Sequence, residues 1–465
     1  MLRNILKIFT IPLMLILLSF YFFPIEFVGF PGINTKMVEA LFGLLLFLLK
    51  TTRKGSGMFD NGIMRIFVWA TIVSVIGFAS VAINGTPDYA YATYLISAAV
   101  WIAAAYFVVN IMGAIHGGEQ SPVTMMNYLI VLCILQCGIA LWMDQDHGLR
   151  DAVDAVVAQG QDFLNSSNVR RLYGIGASLD VAGTRFAVVL CMISFLAVYF
   201  AKKTREHFYE KNPWLYVIAF IIIAVAGNMV ARTTLIGVIV AVVYIACNFR
   251  FIFLRADGRF NSLLLWLVLI FIIAIPVCTH LYHTDPQFQK NLRFAFEGFF
   301  NYYENGTWQV DSTDKLSNMY VFPDNLKTWI IGDGYFSSPF DTDPYYIGEY
   351  TGGYYMGTDV GYLRFIFYFG VIGMAAMCFY IYQVYRVCVD RFPDLKWLFF
   401  MTLIINYVVW FKVATDVFLV FALFAVMKRD ERFQIKPKPL LEADDNKEDD
   451  EPDDPAKNAP VNLFR

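Results

Sequence analysis

The sequence predicts an all-α polytopic membrane protein with about twelve transmembrane helices and a large extracytoplasmic loop between the ninth and the tenth. Three observations predict it. Apolar residues make up 58% of the 465-residue chain and charged residues only 16%, where a soluble domain carries about 25% charged residues. Mean hydropathy is +0.53, and the apolar residues gather in runs of roughly 20, the length that crosses a hydrocarbon core. Basic residues recur in every second connection, as a repeatedly crossing chain requires.

The runs fall at residues 8–28, 36–50, 63–83, 91–114, 122–143, 182–201, 213–230, 233–253, 262–282, 359–385, 395–412 and 414–428. The second and the last are short for a full crossing. The first follows Arg3 and Lys7 as a signal sequence would, but no A-x-A cleavage site follows it, so it reads as an uncleaved anchor. Five basic segments set the orientation: Lys50, Arg53 and Lys54; Lys202, Lys203 and Arg205; Arg250, Arg255 and Arg259; Arg386 and Arg391; and Lys428, Arg429 and Arg432. With twelve spans all five lie on one side, which the positive-inside rule makes the cytoplasm. Both termini then lie there too.

Residues 1–428 therefore read as a transmembrane bundle with two long outward loops. The loop at 144–181 carries an amphipathic stretch near 150–163, expected to lie as a short helix at the interface. The loop at 283–358 is too long for a mere connector and reads as a small extracytoplasmic domain. Residues 429–465 read as a disordered acidic tail: nine acids against three bases from residue 440 onward give it −6, so the net charge of −3 hides a remainder of +3. Nothing in that tail resembles a nucleic-acid site. The seven cysteines lie in or beside apolar runs without a CxxC pair, so they read as small buried hydrophobes, with no disulfide framework or zinc site.

The outward side is where chemistry is expected. Arg170, Arg171, Arg185, Arg232, Arg293 and Arg364 lie there, although the positive-inside rule depletes this side of arginine. Arg232 interrupts an otherwise uncharged apolar stretch from Trp214 to Asn248 that must turn once, near Asn228, Thr233 and Thr234. An intramembrane arginine costs about 2.5–3.5 kcal/mol unless solvated or paired. It reads either as a side chain snorkelling out of the turn or as an anion clamp, since a guanidinium is a planar, permanently charged fork that matches phosphate. Thr358 is placed to cap the tenth helix and Asp359 to sit at its positive end, which would keep that carboxylate ionised as a base or as an orienter of a hydroxyl. Tyr335, Tyr354 and Tyr355 belong to a tyrosine-rich, Asp-rich loop suited to stacking on sugar faces and accepting sugar hydroxyls, or equally to an interfacial belt. His280 and His283 offer a further base but no third ligand for a metal. Gly332 and Gly334 read as a turn. No GxSxG, P-loop, HExxH or dinucleotide fingerprint is present.

Three segments together resemble the O-antigen polymerase and ligase superfamily of bacterial envelope enzymes. They are Arg171-Leu-Tyr-Gly174 running on to Asp180-Val-Ala-Gly183-Thr-Arg185; Ala231-Arg232-Thr-Thr-Leu-Ile-Gly237; and Ile331-Gly-Asp-Gly-Tyr335 followed by Thr358-Asp359-Val-Gly-Tyr-Leu-Arg364 and Gly370-Val-Ile-Gly373. The likeness spans roughly residues 165–375. It implies a GT-C type, lipid-dependent glycosyltransferase of the bacterial inner membrane that takes a glycan from a polyprenyl-pyrophosphate-linked oligosaccharide at the outer face. In that reading Arg171, Arg185, Arg232 and Arg364 hold the pyrophosphate, Asp359, Arg232 and Arg171 carry the catalysis, and Tyr335, Tyr354 and Tyr355 line the glycan. It implies no cofactor and no metal, and a chain-length regulator as a partner beside the lipid bilayer.

Within the superfamily, ligases show a His-Asn-x-x-Leu-like motif where this chain has Asp359-Val-Gly-Tyr-Leu363, which favours a Wzy-type repeat-unit polymerase over a ligase. Ala231 stands where the family usually has serine. A flippase for lipid-linked oligosaccharide is the remaining alternative; it would need charges deep within several spans rather than at the rim.

Overall fold

A computed structural model of the chain describes residues 2–54, 60–118, 120–159, 171–203, 213–248, 272, 275–340 and 342–428. Most of these residues are helical, and the protein is a multi-pass membrane protein. Among the described residues five helices are long and apolar enough to cross a bilayer, at Asn61–Asn84, Tyr94–Ile115, Pro122–Gln145, Leu179–Tyr199 and Gly361–Arg391.

In chain order the helices are α1 (Leu2–Phe22), α2 (Thr35–Lys54), α3 (Asn61–Asn84), α4 (Tyr94–Ile115), α5 (Pro122–Gln145), α6 (His147–Asp154), α7 (Leu179–Lys203), α8 (Pro213–Val230) and α9 (Thr234–Cys247). Within the large loop come α10 (Pro286–Ala295), α11 (Glu297–Asn305), α12 (Asp311–Ser317) and α13 (Leu326–Ile330). The chain then forms α14 (Gly361–Arg391), α15 (Lys396–Val409) and α16 (Phe418–Val426). Pro24 follows closely on the end of α1, and an Asp60 carboxylate opens α3 by accepting from the Ile63 amide at 2.9 Å. The ninth expected span, 262–282, lies mostly outside the described residues, as does the acidic tail. The last expected span, 414–428, is a nine-residue helix, too short to cross a bilayer alone.

Close approach of helices rests on small residues, as is usual where no hydrophobic force separates helix from lipid. A Cβ on Gly43 of α2 would lie 1.9 Å from the Ala103 carbonyl of α4, and one on Gly237 of α9 would lie 2.3 Å from Ala187 Cα of α7. The connections sort onto two ends. At one end Arg391 pairs with Asp60, Arg65 with Asp390 at 2.6 Å, and Gln120 accepts from the Lys428 amide. At the other end the large loop meets the α3–α4 connection, the α8–α9 turn and the chain after α15.

Two expectations for local structure are corrected here. The interfacial helix expected near 150–163 is α6, capped by Asp146 and finished at Asp154. The next residues turn, and Val157–Ala158 (β2) pair antiparallel with Glu26–Phe27 (β1), because valine-rich backbone is better satisfied along that short edge than in a fraying helix. Thr358 does not cap the tenth expected helix. The cap residue is Val360, and the Thr358 hydroxyl accepts from the Val360 amide at 3.3 Å, inside the turn that precedes the helix.

The largest departure from a plain bundle lies within α14. At Phe369 and Gly370 the backbone leaves helical geometry, with Gly370 at φ +70°, ψ −176°, a region open in practice to glycine alone. Backbone freed at membrane depth must find partners in the protein. Here the Gly332-Asp333-Gly334 strap supplies them: the Asp333 amide donates to Phe367 O at 2.6 Å and the Gly334 amide to Tyr368 O at 3.1 Å. Ser80 of α3 donates to the same Tyr368 carbonyl at 2.6 Å. The fit is tight, since a Cβ on Gly332 would lie 2.5 Å from Phe369 N and one on Gly370 2.0 Å from Ile330 O. Gly373 leaves the space that the Phe369 ring fills. The large loop thus closes on the first limb of α14, where Val360, Leu363, Ile366 and Phe367 pack against Leu316, Met319, Val321 and Trp329.

Candidate functional site

The loop end of the bundle brings together three charged clusters, and α7 sits between two of them. Its first turn is pressed against the α8–α9 turn, where a Cβ on Gly183 would lie 2.1 Å from Thr233 Oγ1. That turn carries Arg232. The Arg232 guanidinium donates through Nε to Phe294 O at 2.9 Å and through one terminal nitrogen to Ser312 Oγ at 2.7 Å, and it forms an ion pair with Glu297. It also stacks on the Phe294 ring, 4.1 Å from its centre, and Arg171 approaches the same ring at 5.2 Å. Two arginines therefore share one aromatic ring. Arg232 does not snorkel free of the protein; α10, α11 and α12 of the large loop hold it. Arg171 lines a small cleft with Asp144, Arg150 and Tyr173. Arg150 Nε donates to the Tyr173 hydroxyl at 2.7 Å, and that hydroxyl donates to Asp154 at 2.6 Å, fixing the chain two residues beyond Arg171.

The second cluster is built on the entry to α14. Arg364, one turn inside the helix, lies 3.6 Å from Asp359 Oδ1. It donates to Phe336 O at 3.0 Å and covers the Phe336 ring at 3.6 Å and the Tyr354 ring at 4.9 Å. From the other side Asp180, in the first turn of α7, is bound to Lys412 at 2.7 Å. Burial raises the Asp359 carboxyl to about 6; Arg364, Lys412 and the Tyr354 hydroxyl oppose the rise, and Asp180 adds to it. The expected carboxylate form therefore still prevails at neutral pH, but with a smaller margin than an ordinary aspartate has, because desolvation outweighs the facing cations. A carboxyl poised near 6 is a better base near neutrality than an ordinary aspartate. Asp359 Oδ1 and Arg364 Nε are buried without a hydrogen bond. The two non-glycine residues with positive φ among the described residues, Leu179 at +55° and Met356 at +53°, flank this cluster on both of its chain segments. Such strain costs on the order of 1–3 kcal/mol per residue and gathers at functional sites.

Arg185 is not part of either group. It is buried on α7 against Phe22 and Phe23, 5.9 and 5.6 Å from their ring centres, with Asp416 as its main facing carboxylate. Five residues separate it from Asp180, and the helical repeat turns the two side chains to different sides. This third cluster contains Lys36, 4.1 Å over the Trp101 ring, and Tyr94, which donates to Asp416 at 3.2 Å.

The three tyrosines expected to line a glycan also divide. Tyr335 and Tyr355 pack at 5.2 Å in a trio with Tyr346, with Tyr335 donating to Asp343 at 2.5 Å and Tyr355 to Asp333 at 3.3 Å. Tyr354 faces Arg364 and Asp359 instead: it is extended, and the chain turns into a 3-10 helix at Tyr355. His280 and His283 lie in the helical segment 275–284, with His283 edge-on to Tyr282. Among the described residues no group of histidine, cysteine and carboxylate side chains could hold a metal ion. Arg170 lies outside the described residues.

Comparisons of the chain with family models, with curated proteins and with solved structures gave no match. The reading of the site therefore rests on its chemistry. Sequence reasoning missed four partners: Glu297, Asp180 as a partner of Asp359, Lys412 and Asp416. Asp416 carried a signal, an acid near the start of the last expected span, and an ionisable residue there is a candidate by default. Glu297 carried none, being one of many loop acids.

Proposed function

We propose that the chain is a polysaccharide repeat-unit polymerase of the O-antigen, capsule or exopolysaccharide kind. It would be a protein of about twelve spans in the bacterial cytoplasmic membrane, with both termini inside, using a polyprenyl-pyrophosphate-linked glycan at the outer face. The observation that carries the reading is the pairing of a poised carboxyl, Asp359, with a buried arginine, Arg364, joined through the start of α7 to a turn where Arg171 and Arg232 share one ring. A base and a set of fixed cations are what glycosyl transfer from a pyrophosphate requires.

In this reading an acceptor hydroxyl attacks the anomeric carbon of the donor glycan. The carbon–oxygen bond to the pyrophosphate breaks, the electron pair leaves with the pyrophosphate, and the hydroxyl proton passes to Asp359. Arg364, Arg232 and Arg171 stabilise the charge that grows on the leaving group. Arg232 is bound to Glu297 in the structure, so the pyrophosphate takes the place of that carboxylate. Lys412 and Asp180 hold the field around Asp359. Arg185 serves the bundle rather than the pyrophosphate.

One observation favours a second reading. Lys36, Arg185 and Asp416 face one another where α1, α2, α4 and α7 meet, with Arg185 buried, a feature that a flippase for the same lipid-linked oligosaccharide would use. The test is incubation of the protein in nanodiscs with a polyprenyl-pyrophosphate-linked repeat unit and no nucleotide sugar. A ladder of products from wild type, lost in Arg232→Ala and Asp359→Asn, supports the polymerase. A single transfer onto a non-repeat acceptor instead points to a ligase, and movement of the lipid between leaflets without product points to a flippase.

A further inference from the structure

The connection between α3 and α4 carries a carboxylate that the reaction above does not use. Asp88 Oδ2 accepts from the Phe336 amide at 2.8 Å and the Ser337 amide at 3.3 Å, and its Oδ1 accepts from its own chain at Ala90 N, 3.1 Å. The Asp88 carbonyl accepts from the Tyr368 hydroxyl at 2.8 Å. Phe336 is the residue that holds Arg364, by its carbonyl at 3.0 Å and by its ring at 3.6 Å. Asp88 is therefore one residue removed from the guanidinium, and it clamps both the loop residue under Arg364 and a residue one turn further along the same helix.

The neighbouring contacts run the same way. Asn84 donates to Gly332 O at 3.1 Å and Thr86 to Gly334 O at 2.9 Å. From Asn84 at the end of α3 through Thr86 to Asp88, every second residue thus grips the strap or the residues just after it, and the strap grips the break in α14. The Phe336 ring also packs edge-on against Tyr91 at 5.1 Å, later in the same α3–α4 connection. An arginine has many rotamers, and a few tenths of an ångström at Phe336 moves its guanidinium relative to Asp359.

We propose that Asp88 is a positioning residue for the proposed glycosyl transfer: through Phe336 it sets where the Arg364 guanidinium stands relative to Asp359 and the leaving pyrophosphate. The inference rests on the polymerase reading for its consequence in rate, while the contact itself can be read without activity.

The experiment compares wild type, Asp88→Ala, Asp88→Asn, Arg364→Ala and the Asp88→Ala/Arg364→Ala double variant in nanodiscs. Two readouts are taken: the initial rate of ladder formation against lipid-linked substrate, and hydrogen exchange at the Phe336 and Ser337 amides. Asp88→Ala is expected to lower kcat by about 10- to 100-fold, the scale on which small misplacements act, with KM little changed. Asp88→Asn keeps an acceptor oxygen for the Phe336 amide and is expected to restore most of the rate. In the double variant the loss is no greater than in Arg364→Ala alone. Exchange at 336–337 speeds up in Asp88→Ala and not in Asp88→Asn. A wild-type kcat in Asp88→Ala, or a loss that adds in full to that of Arg364→Ala, overturns the proposal. If wild type makes no ladder from a competent substrate, the polymerase reading falls; unchanged exchange in Asp88→Ala then overturns the positioning role, and faster exchange supports it.

Discussion

Asp359 gives a prediction whose sign is unusual for a carboxylate. Its side chain is 19% exposed, and burial carries its pKa from 3.8 to about 6 in spite of Arg364 and Lys412. Two pH units correspond to about 3 kcal/mol of preference for the neutral form. Between about pH 4 and pH 6 the folded protein holds a proton here that the unfolded chain has lost, so stability falls as pH rises through that window and levels off above it. Asparagine mimics the neutral acid at every pH. Asp359→Asn is therefore expected to be more stable than wild type by up to about 3 kcal/mol at pH 8, with the difference shrinking through pH 6 and gone near pH 4, while ladder formation is lost. The measurement is thermal unfolding of both proteins in the same detergent at half-unit steps from pH 4 to pH 8. A variant less stable than wild type at pH 8, or a difference that does not change with pH, would falsify the claim that desolvation dominates at this carboxyl.

The remaining predictions concern the same end of the bundle. Lys412→Met removes a cation that lowers the Asp359 pKa, and Asp180→Asn removes an anion that raises it; the acid limb of the rate–pH profile should move up in the first and down in the second, and movement in one common direction would contradict the assigned field. Arg232→Ala should slow ladder formation by about 100- to 1,000-fold, whereas Glu297→Gln, which removes the competitor for that guanidinium, should lower KM for the lipid-linked substrate in initial-rate measurements. Gly370→Ala would place a methyl 2.0 Å from Ile330 O at a φ of +70° and should cost about 3 kcal/mol or more in thermal unfolding. Gly353→Ala, with nothing within 4 Å of the added carbon, should melt like wild type.

The helices were legible because span length and hydropathy are local properties. Runs expected at 122–143 and 213–230 appear as Pro122–Gln145 and Pro213–Val230, with Ser121 supplying the cap at the start of the first. Legibility ended where one segment satisfies another far away in sequence. Gly332-Asp333-Gly334 reads as a turn by itself and Gly370-Val-Ile-Gly373 as a helix with two glycines; that the first mends a break in the second is a fact of packing. The same limit applies to the arginines. Periodicity places Asp180 and Arg185 in one helix but does not say that one meets Lys412 and the other Asp416. Tyr354 and Tyr355 are neighbours in any motif and yet serve two different surroundings.

The broken helix also constrains how the protein is made. The limb of α14 after the break, residues 371–391, is about 31 Å of helix, enough to be taken up by the bilayer as a span of its own. The limb before it is far shorter, and its last two carbonyls depend on Ser80 and on the Asp333 and Gly334 amides. Insertion of the long limb fixes the path of the chain through the bilayer without the short one. Docking of the short limb waits until α3 and the preceding loop are in place to receive it. Asp359 and Arg364 ride on that limb, so a newly made chain can be fully threaded through the bilayer before these two side chains have met.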